Sequence, residues 1–412
     1  MQMFIDKRKS NIIELPIKMT NELFDNINRN KDFYISQMPP EINKVFSFFK
    51  DVKINEWFYI FPEEILKDKS NDEKEKLVDW CSLCLRYKNL GYSDEDIEEK
   101  MGFFEEHLKK YLFPLEKIYQ MKAYTKVKRK IYFGCSNKKF RICRFCGKKM
   151  PEVTFKNNSH AIPLSLGNHI FFNNYECDNC NHLFGETIEQ HLIEWISVMK
   201  IFSCTSGRNG ITPVIFSNGI IKYDEERKLI VIVHKSEHLD ELISEDNKSI
   251  SQIQLVDGKK YTPAMVYRAL VKIALGFIPE THIKYFGDTV NWIRDFSDDR
   301  ALPKIAYTLY PQPQFNQQPE LILYLRKDEQ NHNIPFAVVS LLMCNMKFVF
   351  IIPFCSSDIK NFVTDDEFDF YWKTFKIYSE YSCFEWKFEN LSLNTPLPRH
   401  LNLNFVRREK VN

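Results

Sequence analysis

A chain of 412 residues exceeds the size at which one hydrophobic core keeps growing, so two or three domains are expected. With 44% hydrophobic and 15% aromatic residues, few glycines and no Gly-Pro or Ser-rich tract, the composition excludes a largely disordered chain. The net charge of +2 decides nothing by itself, but Lys122 to Lys149 holds eleven Lys or Arg and no Asp or Glu, a footprint suited to phosphate.

The opening MQMFIDKRKSN is charged and lacks the apolar stretch of a secretory signal. Eleven cysteines, an odd number, then point to a reducing, cytoplasmic setting with free or metal-bound thiols rather than disulfides. To about residue 130 the chain reads as mainly helical. Asn71-Asp72-Glu73-Lys74 opens one segment, with Leu77, Trp80, Cys81, Cys84 and Leu85 at helical spacing. Cys81 and Cys84 have no second pair nearby, so they read as small apolar residues on a buried face. Ser93-Asp94-Glu95-Asp96 opens another helix before Ile97, Met101 and Phe104.

Further along, Glu152 to Lys156 reads as a strand. Leu183, Ile188, Leu192, Trp195, Ile196 and Met199 read as one helix with one apolar face. Ser217-Asn218-Gly219 between two apolar runs signals a hairpin, and Leu229 to Val233 a further strand. Thr262-Pro263 starts a helix carrying Val266, Leu270, Ile273 and Phe277 towards a core, with Gly276 and Pro279 helping to stop it. The run PQPQFNQQP (311–319) is a loop before a strand at Leu321 to Leu325. Pro335 to Phe354 is apolar and long enough to raise a membrane span. Asn345 and Lys347 interrupt it, and Val, Ile and Phe crowd both halves, so two strands with a turn near Cys344-Asn345 fit better, and no membrane is expected.

Cys143-x-x-Cys146 and Cys177-x-x-Cys180 are separated by thirty residues. Each pair brings two thiolates to one side of a tight turn, and two such turns close a tetrahedron around zinc. With all four positions filled by protein, that zinc is structural. A redox role fits poorly, because neither pair sits between a strand and a helix. His160 lies fourteen residues after Cys146 and seventeen before Cys177. Zinc draws its segment towards the start of the next helix, where Asn181 follows the last ligand, so an imidazole and an amide oxygen are expected across a small cleft.

The order Cys143-x-x-Cys146, His160-x-Ile-Pro, Cys177-x-x-Cys180-Asn181 resembles the HNH endonucleases of the ββα-metal type with a structural zinc. Leu166-Gly167-Asn168, and Cys-Asp-x-Cys-Asn-x-x-Phe-Gly from Cys177 to Gly185, look like HNH proteins of bacterial anti-phage defence systems. Arg208-Asn209-Gly210-Ile211 and Ala269 to Pro279 resemble their downstream regions more weakly. The resemblance implies that His160 is the general base and that Asn181 helps to bind one catalytic divalent ion, Mg²⁺, Mn²⁺ or Ni²⁺. Asn173 or Asn174 would be the middle asparagine, out of perfect register. Where many relatives carry an acidic or histidine ligand before the base, this chain has Ser159, a weak ligand for a hard ion. Glu186, Glu189, His182 or His191 could replace it; otherwise the ion binds weakly until phosphate arrives, or catalysis is lost. His169, His182 and His191 carry less weight than His160.

The basic block leads into this segment through Lys126, Lys128, Arg129, Lys130, Lys138, Lys139, Arg141 and Arg144. Lys128, Arg129, Lys139, Arg141 and Arg144 are the expected phosphate contacts. Tyr124, Tyr132 and Phe140 are interleaved, to stack on bases or to anchor the segment.

The expectation is therefore an α+β, multi-domain protein. A mainly helical region spans 1–130, a zinc-containing HNH nuclease domain 131–205, and an α+β C-terminal domain 206–412. The function implied by the resemblance is hydrolysis of DNA phosphodiester bonds by a bacterial defence effector. The alternatives are a zinc-stabilised nucleic-acid-binding protein without catalysis and a nuclease directed at RNA. The flanking regions are expected to hold a regulatory ligand or partner protein, or to make a homo-oligomer.

Overall fold

The structure, a computed structural model, describes residues 17–37, 49, 52–58, 71–125, 127, 129–235, 252–310, 315, 317–328, 330–380 and 385–404. The opening MQMFIDKRKSN, Lys126, Lys128 and most of the 311–319 loop lie outside them. Two compact units divide the chain, Met1–Leu112 and Phe113–Asn412.

The first unit is built on the helices Asn21–Gln37, Asn71–Asn89 and Asp94–His107. Ser93 and Asp96 form a reciprocal cap: the Asp96 amide donates to Ser93 Oγ at 3.1 Å and the Ser93 amide to Asp96 Oδ2 at 3.3 Å. Cys84 packs with Trp80, Ile97 and Met101, and Cys81 is equally buried. Both behave as apolar side chains of a helix face.

The second unit is organised by a six-stranded antiparallel sheet. Its spatial order is Lys387–Glu389, Ile305–Leu309, Met346–Ile351, Ala337–Met343, Glu320–Arg326 and Tyr119–Tyr124. The apolar run at 335–354 is the central hairpin of this sheet, Met343 paired with Met346, and Cys344 and Asn345 turn with φ of 50° and 57°. Such positive φ at two consecutive residues matches the twist of tight hairpins. Side chains alternate: Val339, Leu341, Phe348 and Phe350 face one core, while Val338, Val349 and Ile351 face the other. Burial of both faces explains the apolar run, in which Ser340 and the half-buried Lys347 are the polar residues of the two strands. Helices Asp365–Thr374 and Lys376–Ser379 cover the second face through Phe368, Tyr371, Phe375 and Tyr378.

The first face carries the helix Pro263–Phe277, in which fourteen residues are buried, including Arg268 and Lys272. A helix buried all round is a core element rather than a surface one. Arg268 donates to the carbonyl of Trp292, in the last turn of the helix Gly287–Arg294, and to those of Asp295 and Asp298 just beyond it. Beside these lie a three-stranded meander, Val214–Phe216, Gly219–Asp224 and Leu229–His234, and a strand pair, Gln252–Tyr261 with Leu397–Asn404. The 217–219 hairpin forms as expected, although Gly219 pairs with Phe216 inside the strands and Ser217-Asn218 make the turn.

Two local expectations are corrected. The single helix after Cys180 is three short ones, Asp178–Glu186, Ile188–Trp195 and Ser197–Phe202. Thr187 breaks the first junction with φ −111° and ψ −94°, its hydroxyl bonding back to the Leu183 carbonyl at 2.6 Å. Glu152 to Lys156 form no strand. Their polar groups turn instead to the next helix: Asp178 accepts from the amides of Lys156 (2.8 Å) and Asn157 (2.9 Å) and from the Thr154 hydroxyl.

Candidate active site and metal cluster

The cysteine knuckle is closed by backbone. The Gly147 amide donates to the Cys143 carbonyl at 2.8 Å, and Gly147 sits at φ +69°, a conformation that glycine adopts without strain. Cys177 caps the helix that carries Cys180, and its amide donates to Cys143 Sγ at 3.4 Å. The four sulfurs lie within 4.8 Å of one another, with Cys146 and Cys177 3.8 Å apart. Zn–S bonds of about 2.3 Å in a tetrahedron place sulfurs about 3.8 Å apart, so the donor set fits zinc in type, number and spacing. A hydrogen bond from Cys180 pulls Cys143 down to about 5 against its burial, while Cys177 is pushed up to about 12, chiefly by desolvation. Four thiolates this close repel one another, and a divalent cation is what relieves that repulsion.

His160 is held on a short β arrangement. Phe171–Asn173 pairs in parallel with Ile131–Phe133 and by an antiparallel bridge with His160. The flanking bonds run from the Ala161 amide to Phe171 O (3.0 Å) and from the Asn173 amide to Ser159 O (2.8 Å). Asn168, fully buried, pins the two segments together. Its Nδ2 donates to the carbonyls of Ile162 and Phe171, and its Oδ1 accepts from the amides of Ile170 and Phe171. Strand, strand and the Asp178–Glu186 helix thus stand in ββα order around the cysteine cluster.

His160 and Asn181 line one cavity of about 800 Å³, together with Glu189, Gln190, Arg208, Asn157 and Asn158. The imidazole rests against Phe172, ring centres 4.8 Å apart. Its Nδ1 is buried with no hydrogen-bond partner among the described residues, an unmet demand at a cavity wall. Burial first, then the charges of His169 and Arg208, lower the His160 pKa, while Glu189 acts in the opposite sense. The ring is therefore neutral at neutral pH and able to accept a proton.

Ser159 does not face this cleft: it is buried, and its hydroxyl points to the Glu176 carbonyl at 3.5 Å. Of the four groups that could replace it, Glu189 alone lines the cavity. Glu186 pairs with His182 at 3.2 Å on the surface, and His191 Nδ1 accepts from the Thr262 amide at 3.0 Å. Glu189 is anchored by Lys272, whose ammonium lies 2.8 Å from Glu189 and 3.0 Å from Glu176. Burial pushes Glu176 up to about 7, with Lys272 opposing. Burial also works against the Lys272 charge, but the two carboxylates outweigh it and raise its pKa. Lys272 was invisible as a site residue in the sequence, since it lies on a core helix far along the chain. The middle asparagines are not set against the imidazole by any hydrogen bond: Asn173 Oδ1 accepts from the Tyr175 amide at 3.0 Å, and the Asn174 amide donates to Phe133 O at 2.8 Å.

Two of the expected phosphate contacts, Arg141 and Arg144, have their guanidinium groups engaged within the fold. Arg141 is buried and donates to the carbonyls of Cys135 (2.8 Å) and Ser136 (3.0 Å). Arg144 stacks on Tyr175 at 3.8 Å and donates to the Leu275 carbonyl; burial lowers its pKa to about 10. Both donate to backbone carbonyls of the fold. Arg129 and Lys139 are exposed, and Lys128 lies outside the described residues. Tyr124 is core, whereas Phe140 and Tyr132 are exposed, Tyr132 stacking on Phe172.

Residues 143–196 match the family model described as HNH endonuclease. No curated protein and no solved structure matches the chain. The matched segment begins at the first cysteine of the cluster and includes His160, Asn181 and Glu189. No helix among the described residues is long and apolar enough to cross a membrane. The chain thus carries, at residues 143–196, an HNH endonuclease domain whose four cysteines cluster at zinc-binding distance.

Proposed function

We propose that the protein is a metal-dependent HNH endonuclease that hydrolyses phosphodiester bonds of DNA. The observation that carries this reading is the single cavity shared by a neutral imidazole, His160, and two oxygen donors, Asn181 and Glu189, beside a four-cysteine cluster. His160 accepts a proton from the attacking water. Asn181 and Glu189 offer an amide and a carboxylate oxygen, a set suited to a hard divalent ion such as Mg²⁺ or Mn²⁺. Such an ion, when bound, neutralises charge on the scissile phosphate and on the leaving 3′ oxygen. Arg208, exposed at the cavity wall, meets the phosphate. The cysteine site has no open position, so its zinc holds the histidine segment and the helix together and takes no part in the chemistry.

A role as a bacterial defence effector rests on the resemblance of Leu166 to Asn168 and Cys177 to Gly185 to such proteins. The competing reading, nucleic-acid binding without hydrolysis, draws on the burial of Ser159 where many relatives carry a metal ligand. Nicking of supercoiled plasmid with Mg²⁺, Mn²⁺ or Ni²⁺ separates the two. His160→Ala is expected to lower the rate by about 10²- to 10⁴-fold with the fold retained. Wild-type nicking by that variant removes His160 from the mechanism. RNA offered at the same salt tests the choice of polymer.

A further inference from the structure

A second cavity of about 560 Å³ adjoins the His160 cleft and shares Ser165, Gln190 and Ile193 with it. Three cations line it: Lys200, Lys259 and Arg399. They come from the helix Ser197–Phe202 and the strands Gln252–Tyr261 and Leu397–Asn404, all beyond the matched segment. Glu194 is the single acidic residue in its wall. That carboxylate is shared by Lys259 at 2.9 Å and Arg399 at 3.4 Å. Lys200 has no such partner. It is 5% exposed, and its ammonium makes no hydrogen bond or ion pair among the described residues. Arg399, 7% exposed, also has its Nε buried and unpaired.

Among the described residues Lys200 forms no ion pair of its own, and Glu194, the carboxylate whose charge reaches it, is already engaged by Lys259 and Arg399. Here three positive groups face one negative group in a hollow continuous with the cleft, where an anionic ligand supplies the missing partner. Pro213, Val214 and Ile215 add an apolar wall suited to a sugar or base. We propose that this cavity is a subsite that binds a backbone phosphate of the strand whose neighbouring phosphodiester lies against His160. This rests on the nuclease reading of the cleft, and it extends the recognition surface to the C-terminal part of the chain.

The test is carried out on the full-length His160→Ala protein, so that the strand is bound and not cut. Fluorescence anisotropy of a labelled single-stranded oligodeoxynucleotide is measured over a series of salt concentrations. Lys200→Met keeps the aliphatic stem and removes the charge. It is expected to weaken binding at least about tenfold and to reduce the salt slope by about 0.7, the share of one phosphate on a single strand. Its melting temperature is expected to match that of the parent, because methionine fills the place of the buried stem. Lys259→Gln, on the exposed rim, is expected to shift affinity and slope in the same direction by less. Unchanged affinity and slope in both variants overturn the subsite. So does a deoxynucleoside monophosphate that competes as well as the oligonucleotide, which would assign the cavity to a free nucleotide. Absence of plasmid nicking by the wild type with all three metals strikes the nuclease reading instead and leaves this binding comparison intact.

Discussion

His160 combines a buried, unpaired Nδ1 with neighbours that disfavour its charged form. A base whose pKa is lowered stays neutral to a more acidic pH than free histidine. Activity is therefore expected to be level near neutral pH and to fall on the acid side, with a midpoint below about 6.5. A pH profile of kcat/KM at saturating metal reads this directly, and an acid limb centred above that value would assign rate control to another group. Lys272 makes the second residue-scale prediction. It neutralises Glu176 and Glu189 in a place where all three are largely shielded from water. Lys272→Met leaves two facing carboxylates without a cation and is expected to destabilise by about 3–5 kcal/mol, measured by urea unfolding. A loss under 1 kcal/mol, which is about the worth of an exposed pair, would mean that water already compensates the pair.

At the scale of elements, the cysteine cluster takes the place of a larger local core. The polypeptide from Cys143 to Cys180 holds only a single three-residue strand, a 3₁₀ turn and a helix start, linked by Asn168 and Asp178. Such elements are too short to persist alone, so zinc held by the four cysteines would supply part of their folding free energy. Cys177→Ser is expected to lose bound zinc and lower the melting temperature, and chelation with phenanthroline to do the same to the wild type. Zinc stoichiometry by atomic emission together with the melting curve checks both. A variant without zinc that melts with the wild type would make the cluster dispensable.

The whole second unit bears on the site. The cluster residues Phe145, Phe184 and Ile188 share one core with Leu270, Ile273 and Phe277 of the central helix and with Leu323 and Phe348 of the sheet. Lys272 and the three cations of the second cavity also belong to the later chain. An excised fragment 131–205 would expose that apolar face to water, and it is expected to lack a cooperative melt even with zinc present. Circular dichroism through a thermal ramp tests this. A sharp transition in the fragment would show that the HNH segment folds without its platform.

The local features were legible because they depend on residues close in sequence. The knuckle spacing, the 217–219 and 344–345 turns, and the start of the Pro263–Phe277 helix each follow from backbone preferences or ligand geometry within a few residues. The same proximity made His160 and Asn181 recognisable around the two cysteine pairs. What the sequence by itself could not contain was the pairing across long separations. It gave no sign that Arg141 and Arg144 turn inward onto carbonyls, that Ser159 faces Glu176, or that Lys272, some eighty residues downstream, anchors Glu189. A charged side chain reads alike whether it meets solvent, a carbonyl or a carboxylate; only packing decides how much water it loses, and that loss determines whether its charge is offered to a ligand or spent within the fold.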